Sequence, residues 1–235
     1  MSRHSATSPA ARGESETRGR ILDAAVRVFA DKGFYHAKVS EIARLAGVAD
    51  GTIYLYFRSK DDLLISIFED RMEQVNENAR AAIAGDLAPL DKLQRLLSQH
   101  LSLCEDNPLV AEVLTVELRQ STKFLKEYKH SKFGEFLKLV AQPIEEGQRS
   151  GDIRADVDAH FAARALFGAV DELVRAWLLR PRGARDTAPR GNPVRARGAA
   201  ELSKIAEQLS SLIIEGLRPR THSSAAASAG KRRAS

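Results

Sequence analysis

Within residues 51–60, Gly-Thr-Ile-Tyr-Leu-Tyr-Phe-Arg-Ser-Lys, the Thr52 hydroxyl, the Tyr54 and Tyr56 phenols and the Lys60 ammonium come together on one short helix and its exit. Thr52 and Tyr56 stand four apart and share a helical side, as do the apolar pair Ile53 and Phe57, which suit packing. Thr and Tyr side chains can touch base edges or a thymine methyl in the major groove, and the Tyr54 phenol can reach a phosphate. Gly51 lets the backbone approach closely, and Ser40, Lys38 and Lys60 flank helix starts, where amides and cations suit phosphate oxygens. The chemistry implied is contact with duplex DNA, weakening as salt rises. A plain core role for Tyr54, Tyr56 and Phe57 explains those three residues but not the run around them.

The elements that must hold these residues are helices. Ile21, Leu22, Ala25, Val28 and Phe29 recur at three and four, predicting a helix over 17–32 ended by Gly33. Ser40 is placed to cap a second helix running to Ala46 that buries Ile42, Ala43 and Leu45. Gly47 turns the chain, and Asp50 or Thr52 opens the helix carrying Tyr54. A fourth helix is predicted from Lys60 to about Ile83, with Asp61 and Asp62 in its first turn, where the dipole favours acids. Helices opened by Pro89 and Pro108 follow, the second reaching Leu118. A long one is predicted over 123–150, kinked at Pro143, then one over 156–179 and a last over 200–217. No alternating strand pattern occurs, so the fold class is all-α. The expected domains are a helix-turn-helix head (17–60) and a ligand-binding and dimerisation bundle (61–218), with a mobile Arg-rich loop at 180–199. Tails over 1–16 and 219–235 have almost no bulky apolar residues and read as disordered, the second being basic.

Charge sharpens this division. The net charge is +5 and the pI about 9.4, yet residues 61–179 hold 14 Lys or Arg against 21 acids, a net of −7. Residues 18–60 hold eight against four, a net of +4, so the head is basic in its own right and the body is expected to face away from phosphate. The single cysteine, Cys104, excludes an internal disulfide and fits a reducing, cytoplasmic setting. No apolar run approaches the roughly 20 residues of a membrane span, and the N-terminus lacks the apolar stretch of a signal peptide. No nucleophile elbow, phosphate-binding loop or zinc spacing is present, so neither catalysis, metal nor cofactor has support. Cys104 reads as a buried thiol, and His100 as a satisfied core histidine with ligand contact as the sharper alternative. Asp171-Glu172 is the acidic pair that either binds a cation or makes a structural contact.

The head resembles that of TetR-type transcriptional regulators. The residues that carry the resemblance are Phe29-Ala30-Asp31-Lys32-Gly33-Phe34, Ser40-Glu41-Ile42-Ala43, Gly47-Val48 and Gly51 to Lys60. Lys38 departs from the Thr usual there, and an extra phosphate contact is expected from it. The resemblance implies a nine-helix plan, a homodimer built from the last two helices, a ligand cavity in the body, and repression of a palindromic operator relieved by ligand. Independently of it, the predicted helices over 160–179 and 200–217 are apolar on more than one face, and Ala162, Ala163, Gly168 and Ala169 suit close helix approach.

Val48 to Phe57 in the head and segments through the body extend the likeness: with Leu63 to Phe68, Val116 to Ser121, Glu146 to Ile153 and Phe167 to Glu172, they resemble the TetR-type repressors of fatty-acid degradation that respond to long-chain acyl-CoA. That resemblance implies an apolar tunnel, for which Leu97, Leu101, Leu114, Phe133, Leu137, Leu166 and Phe167 are the expected lining. It also implies cations for the CoA phosphates, with Arg119 and Arg149 as candidates and Lys123 and Lys126 nearby. An efflux-pump repressor sensing cationic or aromatic drugs stands as the alternative, although one Trp and few aromatics favour an aliphatic ligand. An all-α enzyme or scaffold retaining the head is the third possibility.

Overall fold

The computed structural model describes residues 9–127, 131–179 and 199–219. Ten α-helices and one 3-10 turn make up the regular structure of these residues, and none is a strand. They are α1 Pro9–His36, α2 Val39–Ala46, α3 Asp50–Tyr56, α4 Lys60–Ile83, α5 Pro89–Asp106, α6 Pro108–Thr115, the 3-10 turn Glu117–Gln120, α7 Thr122–Glu127, α8 Ser131–Ser150, α9 Ala159–Leu178 and α10 Ala199–Leu217. No described helix is long and apolar enough to cross a membrane.

Several boundaries differ from expectation. Residues 9–16 continue α1 rather than forming part of a tail. Gly33 does end the regular spiral, at φ 75° and ψ 158°, but one helical turn follows it to His36. Ser40 does not cap α2. The helix opens at Val39 after extended Lys38, and no side chain bonds its first amides. The inner face of α2 is Ile42, Ala43 and Ala46, whereas Leu45, one residue or about 100° short of Ala46 around the spiral, is 49% exposed. The helix predicted over 123–150 is seen as α7 and α8 on either side of residues 128–130, which lie outside the described residues. Helix α8 runs unbroken through Pro143. Ala141, Pro143 and Ile144 are buried there, and packing on α4, α5 and α9 outweighs the lost backbone bond. The readings for residues 1–8, 180–198 and 220–235 lie outside the described residues.

The capping of α4 is as the acids in its first turn suggest. Ser59 Oγ accepts from Asp62 N at 3.1 Å, and Asp62 Oδ2 accepts from Arg58 N at 2.8 Å. This reciprocal pair sets the direction in which the body leaves the head. Buried residues of α1, α2 and α3 (Phe29, Ile42, Ile53) and Phe57 join Leu63, Leu64 and Ile67 of α4 in one core, which continues into α5, α8 and α9. A second core joins Leu97 and Leu101 of α5 to Val174 and Trp177 of α9 and to Leu202 and Leu209 of α10. Head and body are therefore not separated by a solvated linker, and α4 belongs to both.

Candidate functional site

Gly47, at φ 69° and ψ 37°, makes the left-handed turn that only a residue without Cβ adopts cheaply, and it sets α3 across α2. Ile53 is buried beneath α3 and Phe57 just after it, with the Arg18 guanidinium 5.5 Å from the Phe57 ring. Gly51, Tyr54 and Leu55 face outward: Tyr54 is 57% and Leu55 82% exposed. Thr52 is half-buried, as is Tyr56, whose ring lies 6.3 Å from that of Phe57 and packs on the core. Lys38 and Ser40 are exposed at the start of α2. The structure thus brings the expected groove-facing residues to one side of the head, adds Leu55, and turns Tyr56 partly inward. Leu55 fits neither four-residue pair and so is not singled out by spacing; its place between two tyrosines, outside the Ile53–Phe57 face, is the signal that marks it.

Lys60 does something other than expected. Its Nζ donates to the carbonyls of Tyr35 at 3.0 Å and Ala37 at 3.2 Å and lies 4.7 Å from the Phe34 ring. An ammonium held by two carbonyls and an aromatic face ties α4 to the end of α1, so the charge expected at phosphate already has partners within the head. Nearby, Lys32 Nζ bonds Glu41 Oε1 at 2.5 Å, which holds the Glu41 carboxyl below its ordinary range.

In the body, α4, α5, α6, α8 and α9 and the 3-10 turn surround a cavity of about 490 Å³. Most helices contribute a stripe: Phe68, Met72 and Val75 from α4; His100, Leu103 and Cys104 from α5, with Asn107 just after it; Phe133 and Leu137 from α8; Arg164, Phe167 and Asp171 from α9. Val110, Leu114, Leu118 and Arg119 complete much of the wall. Of the expected lining, Leu114, Arg119, Phe133, Leu137 and Phe167 are present, and the Phe133 and Phe167 rings meet edge-on at 4.6 Å. Leu97 and Leu166 instead border a neighbouring void of about 30 Å³. Leu101 is buried in the second core because the Leu97–Leu101 side of α5 faces α9 and α10, about 60° around the helix from the His100–Cys104 side, with Cys104 touching both cavity and core. Arg149 is exposed outside the cavity wall, its Nε donating to the Glu145 carbonyl of its own helix at 3.3 Å. Lys123 is exposed and also outside the wall, and the Lys126 side chain lies outside the described residues.

Polar groups in the wall are mostly committed. The Arg119 guanidinium pairs with Asp171 and bonds the Thr115 carbonyl. Glu172, the neighbour of Asp171, faces away and takes Arg175 at 2.6 Å. Burial lowers the His100 pKa against an opposing pull from Asp171, and its Nδ1 is buried without a partner. The same burial, aided by Asp171 and Glu105, pushes the Cys104 thiol up to about 12.

The 3-10 turn joins this cavity to the head. Leu118 and Arg119 face the cavity. Their neighbour Glu117 is buried and its Oε2 accepts from the backbone N–H of Phe34 at 2.6 Å and from Gln120 Nε2 at 2.9 Å. The Tyr35 hydroxyl donates to the Gln120 carbonyl at 2.9 Å, and Ser121 Oγ donates to Asp61 Oδ1 at 2.6 Å. Gly33 takes the positive φ at this junction, and a Cβ there would sit in van der Waals contact with Glu117 Oε2, 3.4 Å away. Five consecutive residues therefore touch cavity, α1 and α4 together.

Comparison with known proteins places both halves. Residues 21–67 match the family described as bacterial regulatory proteins, tetR family, and residues 68–183 match the YsiA-like protein C-terminal region. The chain is 39% identical over 160 residues to the fatty acid metabolism regulator protein of Bacillus subtilis, covering 68% of this chain and 82% of that one. The structure of the transcriptional regulator FadR from B. subtilis in complex with stearoyl-CoA superposes with a TM-score of 0.71 at 32% identity, over 85% of this chain and 99% of that one. The HTH-type transcriptional regulator TtgR of Pseudomonas putida is 31% identical over 172 residues, which is 71% of this chain and 82% of the relative.

Proposed function

Because the chain belongs to the TetR family of transcriptional regulators, we propose that it is a dimeric repressor of fatty-acid degradation genes that leaves its operator when long-chain acyl-CoA fills the body cavity. The observation that carries this reading is the cavity itself. It has about 490 Å³ of space walled by Leu, Val, Met and Phe side chains, in a chain similar over 85% of its length to a regulator bound to stearoyl-CoA. Such a volume lies within the roughly 300–1,000 Å³ typical of ligand sites. An aliphatic chain gains about 0.8 kcal/mol per methylene buried, so length and affinity rise together until the space is filled. Asp171, the acid best placed to hold a cationic drug, is already neutralised by Arg119, which disfavours an efflux-type effector.

Dimer formation through α9 and α10 has its own support. On α9, Phe161 is 69% exposed, and Ala165 and Gly168 follow on the same outer face. On α10, Leu212 is 73% exposed. Ala162 and Ala163, expected at this contact, are instead buried inside the subunit. Two heads held about 34–36 Å apart would read a palindrome in successive major grooves. Lys38, Ser40, Gly51, Thr52, Tyr54 and Tyr56 supply the contacts, and Lys60 orients the surface.

Release follows from differential affinity. A ligand pressing on Leu118 and Arg119 displaces the 3-10 turn, and the bonds from Glu117, Gln120 and Ser121 carry that displacement to α1 and α4. A coupling of about 1–3 kcal/mol changes operator affinity by roughly 5- to 150-fold. The test is a mobility shift on DNA upstream of the protein's own gene, titrated with CoA, free fatty acids, acyl-CoAs of several lengths and cationic dyes. Release by long acyl-CoAs supports the reading; release by dyes alone overturns it.

A further inference from the structure

We infer that Arg164 is the anion anchor of the cavity, holding the negatively charged head of an amphiphile whose apolar chain runs past Phe167. The inference rests on the cavity being the effector site and goes further by assigning a residue and a charge to its polar end. Three arginines line the cavity: Arg71, Arg119 and Arg164. The Arg71 guanidinium donates to Asp23 Oδ1 at 3.0 Å and to Gln74 Oε1 at 3.3 Å. Arg119 is paired with Asp171. Arg164 has no carboxylate or hydrogen-bond partner among the described residues, and its side chain is exposed.

Its position gives the free charge a direction. Arg164, Phe167 and Asp171 stand at i, i+3 and i+7 on one side of α9, and all three border the cavity. At about 1.5 Å per residue, Arg164 and Asp171 lie roughly 10 Å apart along the axis, with the Phe133–Phe167 edge-on pair between them. One pole is a closed ion pair that offers an anion nothing unless it opens. The other is an uncompensated guanidinium at the solvent-facing end of an apolar wall. With His100 held neutral by burial, Arg164 leaves the lining with a positive balance. A planar guanidinium takes phosphate or carboxylate oxygens two at a time. The anion is either a phosphate of acyl-CoA or the carboxylate of a free fatty acid, and these two sources separate on titration.

The experiment measures binding of stearoyl-CoA and of stearate, below their micellar concentrations, to the full-length wild-type protein and to Arg164→Ala, Arg164→Lys and Arg164→Glu. Arg95→Ala, exposed on α5 outside the wall, is the control, and thermal unfolding is recorded for every variant. Arg164→Ala is expected to lose about tenfold in affinity, as a charged hydrogen-bonding group does when partly exposed to solvent. Lys should recover most of that loss, Glu should lose more, and Arg95→Ala should stay within twofold. A loss confined to stearoyl-CoA identifies the phosphates, and one confined to stearate identifies the carboxylate. Wild-type affinity of Arg164→Ala and Arg164→Glu for both probes overturns the anchor while leaving the acyl-CoA reading standing. A wild-type protein that binds neither probe overturns that reading as well as the anchor.

Discussion

Substituting Glu117 separates ligand binding from DNA release, because this carboxylate is the buried link between the cavity wall and the head. Its Oε2 accepts from Phe34 N at 2.6 Å and Gln120 Nε2 at 2.9 Å. A hydrogen bond to a charged group contributes about 1.5–3 kcal/mol, against about 0.5–1.5 for a neutral one. Glu117→Gln keeps the shape and one acceptor and weakens the link by about 1 kcal/mol. Glu117→Ala leaves the Phe34 N–H buried without a partner, at a cost of about 1–3 kcal/mol. If the link carries the signal, the ratio of operator Kd with and without saturating stearoyl-CoA should fall about fivefold in Glu117→Gln, the equivalent of 1 kcal/mol. Stearoyl-CoA affinity of the free protein should change less than twofold, because Glu117 does not line the cavity. Fluorescence anisotropy of a labelled operator gives the first quantity and calorimetry the second. An unchanged ratio in both variants, with both folded, would refute the relay.

Three other outcomes follow from particular contacts. Lys60→Met should lower stability by about 1 kcal/mol in urea unfolding, since two carbonyls lose their donor. It should also leave the salt dependence of operator binding unchanged, whereas a lost phosphate contact would reduce that slope by about one. His100 is held neutral in the folded state, so the unfolded chain takes up its proton first as pH falls. Stability should therefore decline from about pH 6.5 downward by at most about 1.4 kcal/mol per pH unit until the folded His100 itself titrates. His100→Phe should flatten that part of a pH series of unfolding midpoints, and an identical slope would count against it. With its thiol pushed up to about 12, Cys104 should react with iodoacetamide at pH 8 roughly a thousandfold more slowly than in the urea-unfolded chain, as mass spectrometry of timed samples would record.

Much of the head was legible in the sequence because those positions answer to a local rule, whereas Leu45 and the Ser40 cap did not follow theirs. The Ile53–Phe57 spacing, the turn at Gly47 and the acids after Ser59 all needed no distant partner. The cavity was half-legible. Leu114, Phe133, Leu137 and Phe167 share with Leu97, Leu101 and Leu166 the same apolar helical spacing. Which side of α5 meets a void and which meets α10 depends on how distant helices cross. Charges misled for a related reason. Arg119 and Arg149 stood in matching segments, but Asp171 lies 52 residues from Arg119 in the chain, and their pairing is decided by the packing of the 3-10 turn on α9. Lys60 at a helix start fitted a phosphate contact equally well, until folding brought two carbonyls of α1 and its exit within its reach.

If ligand releases the operator, cavity and operator compete through the protein, and such coupling is reciprocal. The direct measurement is the Kd of stearoyl-CoA for the free protein and for the protein saturated with operator, in one buffer at one salt concentration. The prediction is weaker binding to the operator complex, by the same factor, roughly 5- to 150-fold, by which stearoyl-CoA weakens operator binding. Equal affinity for the free and DNA-bound protein would contradict it.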